Sequence, residues 1–227
     1  MRRLLALSPI LLVAACSAAQ SHSAQASGQR AERGFEVAAF QSVALQGPHN
    51  VVVTVGGQPS VRAEGDSAAL DMLDIRVENG RLVVATRRGW SWSGPHGEVT
   101  VRVTVPALNE ASIGGSGDMR IDRVQGDRFE ASIGGSGGIR ATGTTETADI
   151  SIAGSGDMVL DSLQTRRTHV SVMGSGNIAV QASEAVDGSI MGSGDVTVRG
   201  AARCSISRMG SGTVTCGESN SGGQQAD

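Results

Sequence analysis

Tyrosine and lysine are absent from the 227 residues, and there are only two tryptophans and three phenylalanines. A chain so poor in large aromatics cannot build a thick core around them. It must bury many small aliphatic side chains in thin layers, as stacked coils do. All 19 basic residues are arginine, a bias that genome composition produces. Against 22 acidic residues the net charge is −3. Bulk charge therefore offers nothing to nucleic acid, and no nucleic-acid partner is expected. The four histidines, His22, His49, His96 and His169, lack metal-ligand spacing. No nucleophile elbow of strand, Gly-x-Ser-x-Gly and helix appears. No helix start follows a glycine-rich turn, as a phosphate loop requires. The expectation is a non-enzyme with no catalytic residues, no cofactor and no metal. A polysaccharide-active β-helix is the distant alternative, because acids can fall at glycosidase spacing by chance. No distinctive long loop surrounds them to shape a cleft.

Residues 1–16 carry targeting signals. Arg2 and Arg3 precede an apolar stretch from Leu4 to Val13, which is too short to span a bilayer as a helix of about 20 residues. Val13-Ala14-Ala15-Cys16 follows and resembles the bacterial lipoprotein signal, with Cys16 as the lipidated residue. An ordinary cleaved signal peptide is the alternative. Several acyl chains on one cysteine hold firmly to a membrane. Ser17 after the cysteine points to the outer membrane, with the periplasmic or surface face undecided. Removing Cys16 leaves Cys204 and Cys216, an even pair for an oxidising compartment. Residues 17–34 are rich in Ser, Ala and Gln and read as a flexible tether. Residues 217–227 read as a disordered polar tail.

The folded body is expected over 35–216, with a strand-rich leading part over 35–106 and repeat coils over 107–216. In the leading part, Asn50–Val55 and Ser60–Ala63 suggest two strands joined by a turn at Gly56-Gly57. Ser67–Leu73 suits one or two helical turns. Ile75–Glu78 and Leu82–Thr86 flank Asn79-Gly80, a tight-turn signal. Val99–Val105 alternates cleanly before Pro106. Trp90 and Trp92 share a Gly/Ser/Pro loop, where they serve either as a ligand-binding loop, stacking on sugars or resting at a membrane, or as a cap on one end of the fold.

The strongest signal is a repeat. Gly-Ser-Gly begins at Gly115, Gly135, Gly154, Gly174, Gly192 and Gly210, at intervals of 20, 19, 20, 18 and 18 residues. Its members include Ser116, Gly117, Gly137, Gly156, Gly176, Gly194 and Gly212. Apolar residues alternate on both sides of each triplet, which is the strand period. This predicts two short strands per repeat with a bend at Gly-Ser-Gly, where glycine permits positive φ. One repeat cannot bury its apolar face, but stacked repeats close a core. The fold class is all-β: a parallel β-helix of about six coils, right-handed by default.

Six before and six after Gly210, Cys204 and Cys216 fall at positions that are mostly apolar in other coils, such as Val186 and Val198. Both thiols should face the last coil and form a disulfide contributing about 3 kcal/mol, with two unpaired buried cysteines as the alternative. Arg208 breaks an apolar column there, which requires an open or capped end. The residue after each triplet reads Asp118, Gly138, Asp157, Asn177, Asp195 and Thr213. A calcium ladder would need more oxygens and no Gly138, so turn-capping residues account for the column. Glu110, Glu130, Asp149, His169 and Asp187 form an outward column. It reads as a solvated face offset by arginines such as Arg128 and Arg167, or else as a cation or ligand track.

Six Gly-Ser-Gly triplets, each preceded by Ser-Ile or a near variant, resemble the GIN domain, described as the head of autotransporter adhesins. Phe40-Gln41-Ser42-Val43 and Asn79-Gly80-Arg81-Leu82-Val83-Val84 carry the resemblance into the leading part. It covers about residues 35–216 and implies an all-β fold with a β-helix portion, exported to the envelope. It brings no catalytic residues, and the chain has no room for a translocating barrel. The expected function is a lipid-anchored envelope module, adhesin-like or binding a glycan or other envelope component. A structural or accessory periplasmic lipoprotein is the alternative.

Overall fold

The computed structural model describes residues 22–24, 27–92 and 98–217. In chain order these residues form β1 (His22–Ala24), β2 (Arg30–Phe35), β3 (Ser42–Gln46), β4 (Asn50–Val55), β5 (Ser60–Asp66), helix α1 (Ser67–Asp71), β6 (Leu73–Glu78), β7 (Arg81–Thr86), β8 (Trp90–Trp92), β9 (Thr100–Val105) and β10 (Glu110–Ile113). The repeat part follows as β11 (Asp118–Gly135), β12 (Gly138–Gly154), β13 (Asp157–Gly174), β14 (Ile178–Gly192), β15 (Val196–Arg199), β16 (Arg203–Gly210) and β17 (Val214–Cys216). The result is an all-β solenoid of about five turns on a strand-rich base. Six Gly-Ser-Gly corners bound five complete turns, which reconciles this count with the expected six coils.

Parallel pairing aligns the repeats residue for residue: Ile133 with Ile152, Ile152 with Val172, and Val172 with Ile190. A second inward column runs Met119, Ile139, Met158, Ile178, Val196. All of these side chains are buried. Full burial of such a side chain contributes roughly 1.5–3 kcal/mol, so the thin core is stabilised by many modest terms.

The leading part is the base of the same sheet rather than a separate unit. β3 and β4 stack in parallel beneath β10 and the start of β11, and β7 and β9 stack beneath β3 and β4. Both inward columns therefore continue downward, through Leu45 and Val84 on one side and Val51 and Val101 on the other. The chain lays the upper base layer first, loops out to build the lower one, and returns above both.

Several expectations change. β4 and β5 do not form a hairpin, because β9 lies between them, parallel to β4 and antiparallel to β5. The hairpin at Asn79-Gly80 does form, with φ of 51° and 75° at the two turn residues. α1 is a single short helix, its first N–H groups capped by Asp66 Oδ1 at 3.0 Å from Ala68 N. The supposed tether is partly structured: β2 pairs antiparallel with β5, and β1 pairs with β8. Cys16 and the tail from residue 218 onward lie outside the described residues.

Each repeat also has a second corner that the two-strand reading missed. Strands β11 to β14 run through it, and Val124, Thr145, Thr165 and Ala182 face inward there. Pairing register shifts near it, between Ile121 and Val124, between Arg140 and Thr142, and between Leu160 and Arg167. These shifts absorb the differences among 20-, 19- and 18-residue repeats. The Gly-Ser-Gly corner stays in register throughout.

At that corner the backbones touch. Gly135, Gly154, Gly174, Gly192 and Gly210 have φ between 125° and 155°, where only glycine is comfortable. The second glycine of each triplet is required by proximity instead: a Cβ on Gly156 would lie 2.3 Å from the Gly137 carbonyl oxygen and 2.8 Å from Ile133 Cγ2. Amides climb the stack to carbonyls one turn below, as from Ser155 and Gly156 N to Gly135 O at 2.9 and 3.1 Å. Gly156→Ala should therefore destabilise the fold by about 1–3 kcal/mol, the range for overpacking. The exposed neighbour Ser155→Ala should change it by no more than about 0.5 kcal/mol. Urea denaturation of the two variants checks this.

Candidate functional site

The residue after each triplet forms a hydrogen-bond ladder along the rod. Asp118 Oδ1 accepts from Gly138 N at 3.0 Å, Asp157 Oδ1 from Asn177 N at 3.1 Å, Asn177 Oδ1 from Asp195 N at 3.1 Å, and Asp195 Oδ1 from Thr213 N at 2.7 Å. Hydrogen bonds from the Thr213 hydroxyl and backbone hold the Asp195 carboxyl below the usual range. Gly138, with no side chain, breaks the ladder once. The column thus caps corners, and among the described residues no group of three His, Cys, Asp or Glu side chains is placed to hold a metal.

The outward acidic column is mostly a set of local pairs. Arg81 Nη2 donates to Glu110 Oε2 at 2.7 Å, Arg128 pairs with Asp149 at 3.0 Å, and His169 Nδ1 lies 2.6 Å from Asp187. Arg167, expected to offset the same column, instead faces Glu184 at 3.6 Å. At the open end Cys204 and Cys216 form the disulfide, with Cα atoms 6.5 Å apart. Arg208 is exposed there and donates from Nη1 to the Gly212 carbonyl at 3.0 Å, which caps the broken column. Trp90 and Trp92 lie on β8 beside His22 and Ala24. The segment read as a loop is therefore a short strand up to Trp92.

A hollow of about 380 Å³ opens just past the corner, where the base meets the first repeats. Asp118 and Arg120 of β11, Gly138 and Arg140 of β12, and Asp157 and Val159 of β13 line it, with Asn50 and Val52 of β4 and Thr100 of β9 below. Arg120 and Arg140 are register partners one layer apart and both exposed. Among the described residues neither enters an ion pair, unlike Arg81, Arg102, Arg128 and Arg166. Gly138 lines the hollow beside them without a side chain of its own. Two guanidinium groups free of ion pairs beside the hollow suit a planar anionic group, and the Asp118 and Asp157 carboxylates can accept from hydroxyls. The sequence reading missed this hollow, because Arg120, Arg140 and Gly138 meet only through the register. A second hollow, of about 490 Å³, lies around Ser42, Glu78, Arg81 and Glu110, whose charges partly satisfy one another.

His49 occupies the base corner beneath Gly117, with Nε2 3.1 Å from Thr86 Oγ1. Burial pulls its pKa below the ordinary 6.5. The unfolded chain then takes the proton first as pH falls. The stability that the neutral imidazole supports is full above about 6.5 and is lost as pH drops below it towards the folded-state pKa. The urea midpoint should fall between about pH 7 and 5, and His49→Gln should reduce that slope.

Fold and site together define a β-solenoid module with a surface hollow. Residues 39–202 match the family described as "Putative auto-transporter adhesin, head GIN domain", and the chain belongs to that family. A solved "putative adhesin" from Bacteroides fragilis is similar in fold, with TM-score 0.67, 20% identity, and 85% of this chain and 99% of that one covered. A "putative lipid binding protein" from Parabacteroides distasonis aligns with TM-score 0.53 and 20% identity over 87% of this chain and all of its own. A "putative adhesin" from the same species aligns with TM-score 0.53 and 18% identity over 86% of this chain and all of its own. No curated protein matches the chain.

Proposed function

We propose that the chain is a non-enzymatic adhesion or binding module of the cell envelope, tethered through a lipidated Cys16 and presenting the Arg120–Arg140 hollow to an acidic glycan. The observation that carries this is the pair of unpaired arginines in register beside Gly138. Arginine forks bind carboxylates and sulfates bidentately, and a rigid rod holds the two at fixed spacing. Trp90 and Trp92 are a second candidate contact, because aromatic faces stack on sugar rings. An accessory periplasmic lipoprotein with no surface ligand is the competing account, favoured by the self-pairing of charges along the acidic column.

Protease accessibility on intact cells, with a periplasmic marker as leakage control, separates the two. Cleavage with the marker protected supports adhesion; cleavage only after the outer membrane is opened defeats it. In purified protein, Arg120→Ala with Arg140→Ala should weaken binding to an acidic polysaccharide by about tenfold or more while the urea midpoint holds. Unchanged binding removes the hollow from the account. Trp90→Ala with Trp92→Ala should weaken binding without unfolding if that strand contributes a contact; unfolding assigns it to capping.

A further inference from the structure

Among the described residues the large hydrophobics left exposed are Met173, Met191 and Met209, at 49%, 47% and 72%. They are not scattered. Met173 registers with Met191 on β14, and Met191 with Met209 on β16, so they form one outward column immediately before the Gly-Ser-Gly corner. The same column holds Gly134 and Ala153 in the turns below. Layer spacing places successive members about 4.8 Å apart. The next outward positions on either side are serines: Ser171, Ser189 and Ser207 before, and Ser175, Ser193 and Ser211 after.

An apolar partner would be served by any aliphatic side chain. The inward columns draw on Ile, Val, Leu and Ala, with methionine only at single positions, Met119 and Met158, on either side of Ile139. All three exposed positions instead carry a thioether, and the property shared is sulfur. Thioethers are soft, uncharged ligands that select copper(I) over harder cations. Methionine is unbranched and has three rotatable bonds, so side chains on three adjacent layers can converge on one point. The rigid corner beneath them fixes their spacing. Arg208, beside Met209 in sequence, turns its Nη1 to the Gly212 carbonyl.

We infer that Met173, Met191 and Met209 form a three-thioether site for a soft monovalent cation, copper(I). The probe is copper(I) itself, presented anaerobically against a chromophoric chelator. The protein is the full chain with its disulfide intact, carrying Cys16→Ser so that no free thiol competes. One copper ion per chain is expected. Met191→Leu, close in volume and therefore tolerated, should lose most of that binding with its urea midpoint unchanged. Methyl NMR gives a second readout on the parent protein. The three exposed methionine methyls should shift with copper, while those of buried Met72, Met119 and Met158 stay in place. Failure to draw copper from the chelator, retained binding in Met191→Leu, or shifts confined to other methionines would each overturn the assignment.

Discussion

Backbone contact at the Gly-Ser-Gly corner is the constraint on which the rest of the structure depends. Carbonyls of one turn lie where a side chain of the next would begin, at 2.0–2.3 Å from a built Cβ on Gly135, Gly154, Gly156, Gly174 and Gly212. That approach lets the amide ladder close and keeps every layer in register with the one below. The inward columns of Ile, Val and Met stack because the corner aligns them. The Asp and Asn caps reach the next layer's amide for the same reason. Variation in repeat length is displaced to the second corner, where register shifts are tolerated.

Such a rod converts sequence columns into surface columns. Any residue type repeated at one position becomes a stripe with fixed spacing, and any exception becomes a notch. The acidic column is largely answered by the arginines beside it, Arg81 and Arg128, and by the His169–Asp187 pair within it. Gly138 is an exception in the capping ladder, and it lies beside two arginines that enter no ion pair among the described residues. The surface offers donors and acceptors at fixed spacing. The chain belongs to the GIN family, and the solved structures similar to it share its fold.

Much of the fold was legible from the triplets and their flanking alternation, because a repeat that cannot bury its own face must stack. The disulfide followed from the same register. The base was harder. Val51 to Val55 and Ser60 to Ala63 look like a hairpin locally, yet β9 enters between them from nearly 40 residues later. No local pattern announces such an insertion. The second corner was missed because it has no constant residue: the register shifts at Arg123, with φ of 55°, in one turn and at different positions in the turns above. The hollow and the methionine column were visible as letters but not as neighbours, since each needs the register before its members meet.

Moving one residue between the two corners tests the central claim. The repeat bounded by Gly135 and Gly154 is 19 residues long, between neighbours of 20. One alanine inserted between Ala141 and Thr142, at the second corner, brings it to the length of both neighbours. Urea denaturation should show a midpoint close to that of the parent. The same alanine inserted between Ser136 and Gly137, inside the triplet, should abolish cooperative folding. Equal cost at the two places would contradict the account.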